Sequence, residues 1–238
     1  MNQIHCGTSI LKCVPFEFEV GEAFSVPIFE EIDGFGIRFG EVEYWDNEKD
    51  DLCFPDVKSL VCEVKEVMKE LEIPQPEYFV LHLLSITPSN RPQSAFNFVD
   101  RGRQKFYVGL SIEVIGGKAK IKSRHHLYHE LMHIKDIVCG RFPTIGRGVR
   151  NISLINFLWG FSIEGRLERM GKPHLEREEM ICLHKDPVLH GLISREHSEK
   201  FCNELWGEKV TYEQLKLKAE ELIKSRKYHN KAHYLKFL

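Results

Sequence analysis

The chain has no strong excess of either charge. Its 33 Lys and Arg against 35 Asp and Glu leave a formal charge of -2, which argues neither for a nucleic-acid binder nor for a strongly acidic substrate surface. It also lacks an apolar run long enough to span a bilayer: residues 152 to 163 are too few, and Ser153, Asn156 and Ser162 interrupt them. No membrane partner is expected. The seven cysteines are odd in number and contain no CxxC pair, so no disulfide framework is indicated. Free thiols suit a reducing compartment. The first residues lack a basic segment followed by an apolar stretch and a small-residue cleavage site, and the expected location is cytoplasmic. Internal repeats and low-complexity tracts are missing as well. What is present is ordinary for an enzyme domain: 238 residues, 42% hydrophobic and 29% charged, suffice for a substantial core.

Against that background one pentapeptide stands out, His129-Glu130-Leu131-Met132-His133. Two imidazoles four residues apart on a helix share a face and can grip one zinc ion, with the intervening glutamate beside the metal-bound water. A chain of this composition contains an accidental HExxH about one time in twenty, so the surroundings carry the weight. Gly116 and Gly117 punctuate the chain, and residues 118 to 138 then read as a helix whose Leu127, Leu131, Ile134 and Val138 recur at three and four. Gly140 is the expected stop. His126, His129 and His133 fall on a different stripe, with Glu130 at its edge, so the histidines face a cleft and the leucines a core. An exposed polar face with incidental histidines is the bland alternative.

Catalytic zinc normally has three protein ligands and keeps one position for water. Residues 152 to 163 are apolar on nearly every side, as in a helix packed inside a domain, and Glu164 follows directly. A carboxylate buried there needs a cation, either zinc or, as a structural ion pair, Arg166 or Arg169.

With these two segments the chain resembles the gluzincin, or thermolysin-like, branch of zinc metallopeptidases. The resemblance covers about residues 105 to 170 and rests on the two motifs. It implies that His129 and His133 bind the metal, that Glu130 is the base, that Glu164 is the third ligand, and that Glu168 is the acid that orients a ligand histidine. Aspartate is usual at that last position, and the interval between the motifs is longer than in the best-known members. The choice between Glu164 and Glu168 as ligand therefore stays open. A metzincin would instead continue HExxHxxGxxH, whereas this chain has Asp136 for the glycine and Cys139 for the third histidine. Cys139 reads as a small buried residue at a helix end. Asp136 opposes the helix dipole, which calls for a partner such as Arg141, Arg147 or a ligand histidine; plain exposure is the alternative.

The expected fold is α+β and zincin-like. Residues 1 to 140 would form an upper lobe with a mixed sheet and helices, ending in the HExxH helix, and residues 141 to 238 a mostly helical lower lobe carrying the third ligand. Residues 16 to 45 read as strands with bends at Gly34, Gly36 and Gly40, residues 55 to 72 as an amphipathic helix starting at Pro55, and residues 78 to 86 as a buried strand. Residues 95 to 99 and 105 to 111 read as a hairpin. In proteins resembling this one a strand beside the cleft receives the substrate backbone as an extra strand. Beyond Glu164, helices are expected near residues 175 to 183, near 189 to 206, and from Thr211 as N-cap to about Arg226. The N-terminal 50 residues form either a β-subdomain or a cover that brings Cys6 or Cys13 to the metal.

The expected function is a zinc-dependent peptidase acting on peptide or protein substrates, with one zinc ion and Glu130 activating water. Two alternatives stand beside it: an inactive or latent zincin-fold binding module, and a nucleic-acid-associated zinc protease, suggested by basic residues such as Arg101, Lys122, Arg124 and Arg141 around the motif. Solvated helix and loop faces explain most of that cluster. Candidates to hold a developing oxyanion are His174, His184, His190, His197 and Tyr212, and the sequence does not choose among them.

Overall fold

A computed structural model describes residues 10–17, 23–39, 45–46, 51–52, 56–85, 97–100, 102, 104–115, 118–121, 123–143, 152–183 and 193–234. The chain divides into two compact units, residues 1–140 with 144–146, and residues 141–143 with 147–238. The architecture is mixed α+β.

The first unit is built on a mixed sheet whose order is β3 (Glu30–Ile32), β4 (Phe35–Phe39), β7 (Tyr78–Ser85), β9 (Lys105–Ile115), β5 (Trp45–Asp46) and β6 (Asp51–Leu52). Strands β8 (Phe98–Val99) and β10 (Lys118–Ile121) also pair with β9. β4, β7 and β9 run parallel, while β3, β8 and β10 are antiparallel to their neighbours. The near-continuous apolar run of β7 is explained by burial on both faces: Phe79, Val80, Leu81 and Leu83 are all buried. Helix α1 (Lys58–Glu70) buries Leu60, Val61, Val64, Val67 and Met68 along one stripe. At its start the Asp56 carboxylate accepts the Lys58 N–H at 3.0 Å. Pro55, expected to open this helix, lies outside the described residues.

A separate antiparallel pair, β1 (Lys12–Glu17) with β2 (Ala23–Ile28), also belongs to this unit. Val14 and Ile28 are buried with Val80, Phe98 and Tyr107, so this stretch contributes to a core, as the β-subdomain reading requires. Cys13 is exposed, and Cys6 lies outside the described residues.

The expected helix over residues 118 to 138 is corrected at its front. Residues 118 to 121 form β10, and helix α2 spans Arg124–Val138. Lys118, Ala119, Lys120 and Ile121 alternate between solvent and interior, a period of two that pairs them with Ile115, Val114, Glu113 and Ile112 of β9. Ser123 then caps the helix, its hydroxyl accepting the His126 N–H at 3.3 Å. The helix ends as expected: Gly140 takes φ 73°, where a side chain would be strained. Cys139, expected to be buried, is exposed, because the chain leaves the core at that turn.

The hairpin of β8 and β9 is present, with Phe98 opposite Tyr107 and Val99 opposite Phe106. Its turn is held by Asp100, whose buried carboxylate accepts the N–H groups of Gln104 and Lys105, both at 2.8 Å. Ala95 and Phe96 lie outside the described residues.

The second unit centres on helix α3 (Ile152–Arg169), packed by α4 (Arg177–Cys182), α5 (Arg195–Leu205) and α6 (Tyr212–Tyr234). Neighbours on three sides explain a helix that is apolar nearly all round, with Leu154, Leu158, Phe161, Ile163 and Leu167 buried. Gly165 marks the closest approach. A Cβ there would lie 2.2 Å from Gly207 N and 2.6 Å from the Trp206 carbonyl carbon, so only glycine lets the two backbones meet. Thr211 caps α6, its hydroxyl accepting the Gln214 N–H at 3.4 Å, and the helix continues to Tyr234 rather than stopping near Arg226. No helix among the described residues is long and apolar enough to cross a membrane.

Candidate metal centre

Helix α2 packs on β8, β9, β10 and α1, and that packing sets which face its histidines present. Leu127, Leu131 and Ile134 are fully buried, while His125, His126, His129, Glu130 and His133 are partly exposed. The expected separation of stripes is therefore observed. His129 and His133 turn their rings toward each other: centroids are 4.9 Å apart at 73°, and the two Nε2 atoms are 3.1 Å apart. His125 sits one turn earlier, its ring centroid 5.9 Å from that of His129. His125 was not among the expected ligands, although it stands four residues from His129, the same interval that separates His129 from His133. His125 and His129 on α2 each offer a ring nitrogen that could bind a metal ion, and Glu164 on α3 offers a carboxylate oxygen.

Glu130 is gripped from the sheet. The Asn97 amide, at the start of β8, donates to one Glu130 carboxylate oxygen and lies 3.5 Å from the Glu130 backbone oxygen. His126 Nδ1 stands 3.6 Å from the other oxygen. The far nitrogen of His126 accepts the Ser111 N–H at 3.4 Å, so a neutral ring carries its proton on Nδ1, facing the carboxylate. Burial, helped by His129 and His125, pushes the His126 pKa down to about 4, which keeps that ring neutral at physiological pH. Asn97 was invisible in the sequence, because no local pattern ties it to a residue 33 positions away.

In the second unit, Glu164 is completely buried on α3, as its place after the apolar run implied. One carboxylate oxygen accepts the Leu175 N–H at 2.7 Å. Arg169, one of its two expected ionic partners, directs its guanidinium at Gly207 O (2.8 Å), Trp206 O (3.2 Å) and Glu208 (3.2 Å). Arg166 is buried and donates from Nε to Ser162 O at 3.2 Å. Glu168 is exposed, and its carboxylate accepts the Trp206 indole N–H at 2.6 Å. Asp136 is fully buried, which rules out the plain exposure entertained for it. Of the oxyanion candidates, His174 bonds Lys172 O at 2.9 Å, His197 bonds Ser194 at 2.6 Å, and Tyr212 meets Phe142 edge-on. His184 and His190 lie outside the described residues.

No family model, curated protein or solved structure matches this chain.

Proposed function

We propose that the chain is a zinc-dependent peptidase of zincin type, with His129, His133 and Glu164 as metal ligands and Glu130 as general base. The carrying observation is the 3.1 Å between the facing Nε2 atoms of His129 and His133. Two nitrogens bound tetrahedrally to one zinc at 2.0–2.1 Å lie about 3.3 Å apart, so the pair needs almost no rearrangement to share an ion. His125 is the competing second imidazole. The tighter approach of His133 to His129 favours the HExxH pair. For the carboxylate, Glu164 is preferred to Glu168: it is buried, where an ion offsets the cost of desolvating it, whereas Glu168 is exposed and holds Trp206.

Zinc supplies Lewis acidity, polarising a carbonyl and making water acidic near neutral pH. The remaining work falls to side chains. Glu130 lies one residue from His129, its carboxylate oriented by the Asn97 amide on one oxygen and facing the His126 ring on the other. Fixed in this way it can take a proton from water and return it to a leaving amine. The neutral His126 leaves that proton traffic to Glu130. Asp136, buried one turn beyond Met132, belongs to the same helix and is proposed to support the ligand set from behind. A peptide or protein is the proposed substrate, and a reducing cytoplasm the proposed setting.

Elemental analysis tests this directly. Zinc near one per chain is expected in the wild type and in Glu168→Ala, with loss in Glu164→Ala. Casein turnover should vanish in Glu130→Gln while zinc stays bound. Full zinc content in Glu164→Ala, or undiminished turnover in Glu130→Gln, overturns the assignment.

A further inference from the structure

We propose that Asn97 is the positioning residue for Glu130, a role that rests on the peptidase reading above. The amide spans two elements that the fold brings together. At one end its Oδ1 accepts the Gly109 N–H of β9 at 3.0 Å. A backbone N–H can only donate, so this bond fixes the orientation of the amide and turns Nδ2 outward. At the other end Nδ2 donates to the Glu130 carboxylate and approaches the Glu130 backbone oxygen. Asn97 is partly buried and opens β8, whose Phe98 stacks on Tyr107 at 4.3 Å, so the group that holds Glu130 is itself anchored by sheet pairing and ring packing.

The chemistry of the two ends explains why an amide suits this place. Gly109 requires an acceptor and an ionised Glu130 requires a donor. Asparagine offers both from one short side chain. Aspartate offers only acceptors, and alanine neither. The bond restrains rotation of the carboxylate at one oxygen, and the other, which faces His126 Nδ1 at 3.6 Å, is left to take and return the proton. Asn97 touches neither substrate nor metal in this scheme; it acts through Glu130.

The test uses the full chain with Asn97→Ala and Asn97→Asp, read by casein turnover, zinc content and the side-chain amide resonances of Asn97. A hydrogen bond to a charged partner that matters in the transition state is worth roughly a tenfold to a hundredfold in rate. Both variants should lose that much in kcat, with KM for casein and zinc content unchanged. Asn97→Asp is the discriminating variant, because it keeps the acceptor for Gly109 and replaces the donor to Glu130 with a second carboxylate that repels it. Wild-type spectra should show one Asn97 amide proton displaced downfield, returning to the ordinary range in Glu130→Ala. Turnover by Asn97→Asp within twofold of wild type, or an undisplaced amide proton, overturns the role and leaves the peptidase reading standing. A wild type with neither zinc nor casein turnover overturns both.

Discussion

Gly165→Ala pits two effects of opposite sign against each other. In an isolated helix, replacing an interior glycine by alanine stabilises by about 1 kcal/mol. Here the new Cβ would stand 2.2 Å from Gly207 N, 2.6 Å from the Trp206 carbonyl carbon and 2.7 Å from Gly207 Cα, all of them backbone atoms that cannot swing aside. Restoring ordinary contact requires residues 206 and 207 to retreat by about 1 Å. That movement strains the two bonds from Arg169 to Gly207 O at 2.8 Å and Trp206 O at 3.2 Å, and the Gly207 N–H bond to Phe161 O at 3.4 Å. Overpacking of this kind costs about 1–3 kcal/mol, and weakening of these three hydrogen bonds adds about 1–3 kcal/mol more. After subtracting the gain in helix propensity, the variant should be less stable by about 1–5 kcal/mol, a large share of the total for a typical domain. Equilibrium unfolding in urea reads this as a lower midpoint at similar slope. A midpoint equal to or above that of the wild type would refute the close approach, since propensity alone would then have decided the sign.

His82 supplies a pH prediction well away from the metal ligands. Burial, with Arg38 nearby, pushes its pKa from 6.5 down to about 4, and the Tyr107 hydroxyl hydrogen-bonds its Nδ1 at 2.5 Å. The folded state disfavours the proton that the unfolded chain binds, so stability falls as pH drops from 6.5 toward 4 and levels off below; the full loss is roughly 3 kcal/mol. Denaturant midpoints measured at pH 7 and pH 4.5 should converge in His82→Gln relative to the wild type, and an unchanged gap would count against it. At the hairpin, Asp100→Ala strips the acceptor from two N–H groups and should cost about 1–3 kcal/mol, while Asp100→Asn recovers part of it because one oxygen makes both bonds. Thermal unfolding of both variants checks the order.

Periodicity in the sequence settled which face of a helix goes inward. The intervals of Leu127, Leu131 and Ile134 determined the buried stripe of α2, and with it the face left to His129 and His133, because both depend only on 3.6 residues per turn. Glu164 was legible for the same local reason: a carboxylate directly after an apolar helical run is buried. The apolar run of β7 likewise declared a buried strand. Tertiary structure decided the rest. Residues 118 to 121 extend the helical pattern on paper, yet pairing with β9 outweighs it, since strand order is a matter of partners distant in sequence. Glu168 was expected to orient a ligand histidine, and only the fold brings it to the Trp206 indole. The hold of Asn97 on Glu130 exists because a hairpin and a helix 33 residues apart meet, and no local rule of sequence encodes which side chains a crossing of elements will join.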